Sequence, residues 1–89
     1  MKSAPTTIIN KLGLHARAAT KLVNRATAFQ SDINLVRGQR SVNAKSIMGV
    51  LTLAASMGTE LVILADGPDE EEAVAALLEL VNDRFGEEQ

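Results

Sequence analysis

The sequence predicts an α+β fold in which an antiparallel β-sheet carries its helices on one face, with elements in the order β-α-β-β-α-β-α. Two observations lead there. Strand-like and helix-like segments interleave along 89 residues, a chain too short for a doubly wound parallel sheet. Each predicted helix also has one apolar stripe, and helices on one side of a single sheet can all bury their stripes against the same surface.

Thr6-Thr7-Ile8-Ile9 is short, β-branched and preceded by Pro5, which predicts a strand, with Asn10 to Gly13 as the following turn. From Ala16 to about Thr27, Ala19, Leu22, Val23 and Ala26 recur at helical spacing and leave Arg17, Lys21, Asn24 and Arg25 as a basic outer face. Asp32 to Val36 alternates, Arg37-Gly38-Gln39 carries a turn glycine, and Arg40 to Asn43 returns, so a β-hairpin is expected. Ser46 is a favourable N-cap for an apolar helix that should end near Gly58. Glu60 to Ala65 is the nearly continuous apolar run of a strand in mid-sheet, broken by Asp66-Gly67-Pro68. Asp69 and Glu72 have the spacing of a capping box, and Ala73, Ala76, Leu77, Leu80, Val81 and Phe85 form the stripe of a last helix that stops before Gly86. No repeat, linker or low-complexity segment interrupts the chain, so residues 1–89 read as one domain.

Composition excludes several functions. There is no cysteine, so disulfides, thiolate nucleophiles and Cys-based metal sites are absent. A formal charge of −2 and an aromatic share of 2 % argue against nucleic-acid binding, which needs basic surface and, for single strands, stacking rings. No apolar run has the length of a membrane span or a signal peptide, so a cytoplasmic location without membrane insertion is expected. A single histidine cannot form a metal site with partners that do not exist, and no G-x-S-x-G elbow suggests a hydrolase. No cofactor is implied, and with no heptad or long flat edge a monomer is expected.

That one histidine, His15, lies in Gly13-Leu14-His15-Ala16-Arg17-Ala18-Ala19, at the N-cap of the first helix. The first backbone N–H groups of a helix lack intrahelical partners, and the aligned peptide dipoles attract an anion such as phosphate. The same field disfavours a protonated ring, leaving imidazole free to act as a nucleophile. His15 could therefore attack a phosphoryl donor, and the N–H groups of the next residues, with the Arg17 guanidinium, could hold the phosphate. A plain helix cap or an exposed bystander explains one histidine and one arginine equally well.

GLHARAATKLV, together with NAKSIMGVLTLAASMGTELVILADGPDEEEAVAAL, closely resembles the HPr family, the histidine-containing phosphocarriers of the bacterial phosphotransferase system. The resemblance runs from about Thr6 to Phe85. It implies an open-faced β-sandwich, a four-stranded antiparallel sheet with three helices on one side. It also implies that His15 accepts a phosphoryl group on Nδ1 from phosphorylated enzyme I and passes it to an enzyme IIA domain. In that resemblance Arg17 is the active-site arginine, and the N–H groups of Ala16 and Arg17 help hold the phosphate. Ala18 departs from the family's usual proline, and with the acidic tail it is similar to the nitrogen-related NPr branch. Alanine is as good a helix former at that position, so the chemistry should survive.

The resemblance further makes Ser46 a candidate for regulatory phosphorylation by an HPr kinase/phosphorylase, although a capping role alone accounts for a serine there. It places Thr20, Lys21, Ile47, Met48 and Leu51 on the face that docks enzyme I and enzyme IIA. Ile47, Met48 and Leu51 follow at helical spacing, and on so small a domain some of that apolar surface must be exposed. Arg17, Lys21 and Arg25 would steer acidic partners. Function thus reads as a phosphoryl-group carrier rather than a stand-alone enzyme. The alternative is a non-covalent regulatory module that docks through Ile47, Met48 and Leu51.

Overall fold

Three of the first four strands and helices begin where local chemistry predicts, and the differences lie mainly where distant residues intervene. The computed structural model describes residues 1–89. Its order is β1 (Lys2–Thr7), α1 (Ala16–Thr27), β2 (Asp32–Arg37), β3 (Arg40–Asn43), α2 (Ile47–Thr52), β4 (Glu60–Asp66) and α3 (Glu70–Asn82), followed by a 3₁₀ turn at Arg84–Gly86. The strands form one antiparallel sheet in the order β1-β4-β2-β3. The helices cover one face and leave the other open.

Register follows side-chain alternation. Leu35 of β2 faces Ile63 of β4 and Val42 of β3, while Thr6 of β1 faces Leu61. Ile33, Leu35, Leu61, Ile63 and Ala65 point to the helices and are buried. A one-residue slip would turn all five outward, so burial specifies the pairing. β4 does lie between two strands, as its apolar run suggests, but only one of its faces is covered. Val62 and Leu64 belong to the other, and Val62 is exposed.

The first strand starts four residues earlier than the β-branched run suggests and ends before Ile8 and Ile9. It includes Pro5, which has no N–H to donate, and this is tolerated because β1 is an edge strand. Ile8 instead drops into the core, fully buried, with its N–H donating to the Thr59 carbonyl at 2.9 Å. The hairpin forms as expected, with Gly38 at φ +60° as the first of its two loop residues.

Helix α1 buries Ala18, Ala19, Leu22, Val23 and Ala26, and its small residues allow close approach to α2 and α3. Helix α2 is shorter than expected, ending at Thr52 rather than near Gly58. The carbonyls just beyond it, which a longer helix would use, are claimed from outside: Arg37 Nη1 donates to the oxygens of Leu53 and Ala54. Ala54 then takes φ +51° and the chain leaves the helix. Residues 53 to 58 become a loop that runs past Gly13.

Helix α3 packs on β4 and β1 and buries Ala73, Val74, Leu77, Leu80 and Val81. Phe85, expected on its stripe, is not on the helix. Arg84 and Phe85 both adopt positive φ, 56° and 55°, which folds the chain back and buries Phe85 completely. Burying an aromatic ring contributes about 2–3 kcal/mol, enough to offset most of the strain of two left-handed residues.

The Asp69–Glu72 capping box does not form. Asp69 is the N-cap residue, yet its carboxylate accepts hydrogen bonds from the N–H groups of Gln30 and Ser31, each at 2.9 Å, and from the Ser31 hydroxyl. Glu70 turns back toward the preceding turn, its carboxylate accepting from the Gly67 N–H at 3.2 Å. The Ser31 hydroxyl, then the Gln30 amide, hold Asp69 below the ordinary aspartate value of 3.8. A carboxyl depressed on folding contributes stability that is present above its unfolded value and lost as pH falls through its folded value. Stability should therefore decline below about pH 4 in the wild-type chain, and Asp69→Asn should lower the melting temperature at pH 7 while flattening that acid limb. Thermal melts at pH 7, 4 and 3 check this; parallel pH profiles for the two chains would contradict it.

Candidate functional site

Everything at the site depends on how the chain enters α1. Gly13 sits at φ +69° and is packed so tightly that a Cβ there would lie 2.6 Å from the Ala55 carbonyl oxygen. Leu14 donates its N–H to that same oxygen at 2.8 Å. The loop after α2 thus fixes the residue before His15. His15 itself is the N-cap, in extended conformation at φ −76° and ψ 179°, and its carbonyl accepts the first helical hydrogen bond from Ala19 at 2.8 Å.

The imidazole does not cap the helix: it makes no hydrogen bond to the first-turn amides. Those N–H groups, of Ala16, Arg17 and Ala18, point out of the helix start without intrahelical partners. The ring is held from another direction. Glu87, from the segment after α3, contacts His15 Nε2 through Oε2. Its Oε1 accepts from Asn10 Nδ2 at 2.9 Å, and that amide also donates to the Gly13 carbonyl at 2.8 Å. Asn10 is fully buried, and both neighbours of its NH₂ group are acceptors, so the amide can point only one way. Its Oδ1 is left without a partner. Burial alone would push the Glu87 carboxyl up, but hydrogen bonds from Asn10 and His15, with the charges of His15 and Lys21 nearby, outweigh it and hold Glu87 below its ordinary value.

Of the His15 side chain, 28 % remains accessible, and Nδ1 has no partner in the chain. The ring opens on a shallow hollow that it shares with Lys11, Leu12, Arg17 and Glu88. Arg17 is exposed and makes no hydrogen bond or ion pair, so its guanidinium is free for an incoming anion. No group of three or more potential metal ligands exists.

The other expected residues divide. Thr20 is exposed, with its hydroxyl donating to the Ala16 carbonyl at 2.8 Å. Lys21, expected to face partners, spends its ammonium on the Phe85 carbonyl at 2.7 Å, which ties the chain after α3 to α1. Ser46 caps α2: its hydroxyl accepts from the Gly49 N–H at 3.1 Å, and the residue is half-buried. Met48 and Ile47 are 72 % and 41 % exposed, whereas Leu51 is half-buried against the core. α2 packs against α1, so this apolar surface adjoins the helix that carries His15 at its start. Leu12, 67 % exposed at the hollow, adds apolar surface that sequence reasoning did not single out. Nor did it find Asn10 or Glu87 as neighbours of the histidine.

Comparison with known proteins identifies the family and the fold. The family model for the PTS HPr component phosphorylation site matches residues 2–83. The phosphocarrier protein HPr of Cupriavidus necator is 55 % identical over 87 residues, 98 % of each chain. The phosphocarrier protein NPr of Shewanella violacea is 44 % identical over 91 % of this chain and 89 % of its own. The crystal structure of HPr-C-His from Thermoanaerobacter tengcongensis superposes with a TM-score of 0.97 at 46 % identity over the whole of both chains. With the fold and these relatives in agreement, the chain belongs to the HPr family of phosphocarriers of the phosphotransferase system.

Proposed function

We propose that His15 is the residue that carries the phosphoryl group, taken from phosphorylated enzyme I and passed to an enzyme IIA domain, with residues 1–89 acting as one carrier domain. The observation that supports this most strongly is the environment of the two ring nitrogens. Nε2 is held by Glu87, and Nδ1 is free at the end of a helix whose first amides are unpaired. Nδ1 is then the nucleophile, the N–H groups of Ala16 and Arg17 receive the phosphate, and the free Arg17 guanidinium adds its charge. Ala18 contributes an amide hydrogen at a position where the family's proline has none. Catalytic power comes mostly from the partners, because the hollow is open and shelters no intermediate by itself.

Partners dock on Ile47, Met48 and the edge of Leu51, with Thr20 and the basic residues of α1 alongside. Met48 supports this role: it is the most exposed of the three, and its flexible thioether adapts to surfaces of different shape. Removing it should matter for binding and hardly at all for folding. Met48→Asp should weaken association with enzyme I by about 10-fold or more while leaving the melting temperature within a few degrees. Titration calorimetry checks it, and unchanged affinity would remove α2 from the interface. Such a result in a chain that still accepts phosphate would leave the carrier role standing.

Ser46 would serve as a regulatory site for an HPr kinase/phosphorylase. A phosphate there adds about −1.5 to −2 charges at the start of α2, which the helix dipole tolerates and an acidic partner surface repels. The chain has no helix long and apolar enough to cross a membrane, and the work proposed for it is cytoplasmic and monomeric.

A further inference from the structure

The contact between His15 and Glu87 joins residues 72 positions apart, and the structure invests several interactions in bringing Glu87 there. Lys21 anchors the Phe85 carbonyl, Phe85 is buried in the core, and Glu87 donates its own N–H to the Arg84 carbonyl at 2.9 Å. Asn10, locked in one orientation, fixes the second carboxylate oxygen. An ionised carboxylate can only accept, so its contact with Nε2 requires the proton on that nitrogen, and in the neutral ring this leaves the lone pair on Nδ1.

We propose that Glu87 is a positioning residue for phosphoryl transfer, holding the Nε2–H of His15 so that Nδ1 faces the donor and the ring's developing positive charge meets a carboxylate. The proposal rests on the reading of His15 as the phosphoryl acceptor. In the step, the Nδ1 lone pair forms the N–P bond while the bond from phosphorus to the donor atom breaks, its electron pair leaving with the donor. Nε2 keeps its proton throughout. The product ring is a phosphorylated imidazolium, whose charge is shared with Glu87 on one side and with the phosphoryl oxygens on the other. On delivery to the acceptor the N–P electrons return to Nδ1. A fixed carboxylate favours the charged ring over the neutral one, and it needs no reorganisation when the bond forms. Asn10 acts one step further out, by aiming Glu87.

The test compares the wild-type chain with Glu87→Gln and Glu87→Ala. In ¹⁵N-labelled protein without any donor, the wild type should show a His15 Nε2–H resonance slowed in exchange, and Glu87→Ala should lose it. With phosphorylated enzyme I as donor, Glu87→Ala should lower the maximal rate of acceptance about 10-fold with KM for the donor unchanged, since a charge-assisted hydrogen bond is lost and no docking surface is touched. Glu87→Gln offers one acceptor oxygen, without the charge, to two donors, the ring N–H and the Asn10 amide, so it should hold the ring less firmly than the wild type and fall between the two in rate. An unprotected ring N–H in the wild type, a wild-type maximal rate in Glu87→Ala, or a change confined to KM would each overturn the proposal. A wild-type chain with the protected N–H that accepted no phosphate would instead overturn the role given to His15.

Discussion

His15→Ala should abolish phosphoryl acceptance and leave the fold in place. The chain has no second histidine to substitute, so residual activity from a neighbouring ring is not available. The stability cost should be small, about 1 kcal/mol or less, because the imidazole caps no amide and its one side-chain contact is the partly exposed pair with Glu87. Incubation with phosphoenolpyruvate and enzyme I, read by mass, together with a thermal melt, separates the two effects. Acceptance persisting in the variant would place the phosphate elsewhere. If it vanished along with the cooperative melt, only misfolding would have been demonstrated, and His15→Gln, closer in size, would then carry the test.

Gly13→Ala should be the most damaging conservative substitution near the site. Alanine at φ +69° costs about 1–2 kcal/mol for its backbone conformation alone. Its Cβ would lie 2.6 Å from the Ala55 oxygen and 2.8 Å from Ser56 Cα, both backbone atoms that cannot swing aside as a side chain would. Relieving the clash stretches the hydrogen bond from Leu14 to Ala55, a further loss of about 1 kcal/mol. The sum, about 2–3 kcal/mol, corresponds to a drop in melting temperature of about 10–20 °C for a chain of this size. The surviving folded fraction should accept phosphate slowly, because the residue before His15 has moved. A melting temperature within a few degrees of wild type would show that the loop from Leu53 to Gly58 yields easily.

What the sequence could disclose follows from the range of the interactions involved. The α1 stripe, the hairpin around Gly38, the Ser46 cap and the apolar run of β4 are each specified by neighbours within a few residues, and each was legible. The Asp69 box was not, because a carboxylate that looks local is taken by Gln30 and Ser31, 39 and 38 positions away. The early end of α2 depends on Arg37 reaching the carbonyls of Leu53 and Ala54, which no reading of α2 alone contains. Phe85 kept the helical spacing but left the helix, since burying its ring offsets most of the strain of two unfavourable backbone conformations. At the site the same division holds. The N-cap position of His15 was legible in the motif around it, whereas Glu87 lies in an acidic tail whose composition suggests only solvation. Asn10 looked like an ordinary turn residue, and its burial beneath the histidine is a property of the assembled core.

The central claim is that this chain carries phosphate on its one histidine, and intact mass tests it most directly. The purified wild-type protein is incubated with phosphoenolpyruvate and a catalytic amount of enzyme I, then treated briefly with acid or with alkali. The predicted result is a gain of one phosphoryl group that acid removes and alkali spares, the signature of a phosphohistidine and, in this sequence, of His15. No gain with an enzyme I that phosphorylates a known carrier in parallel, or a gain that survives acid, would contradict the account.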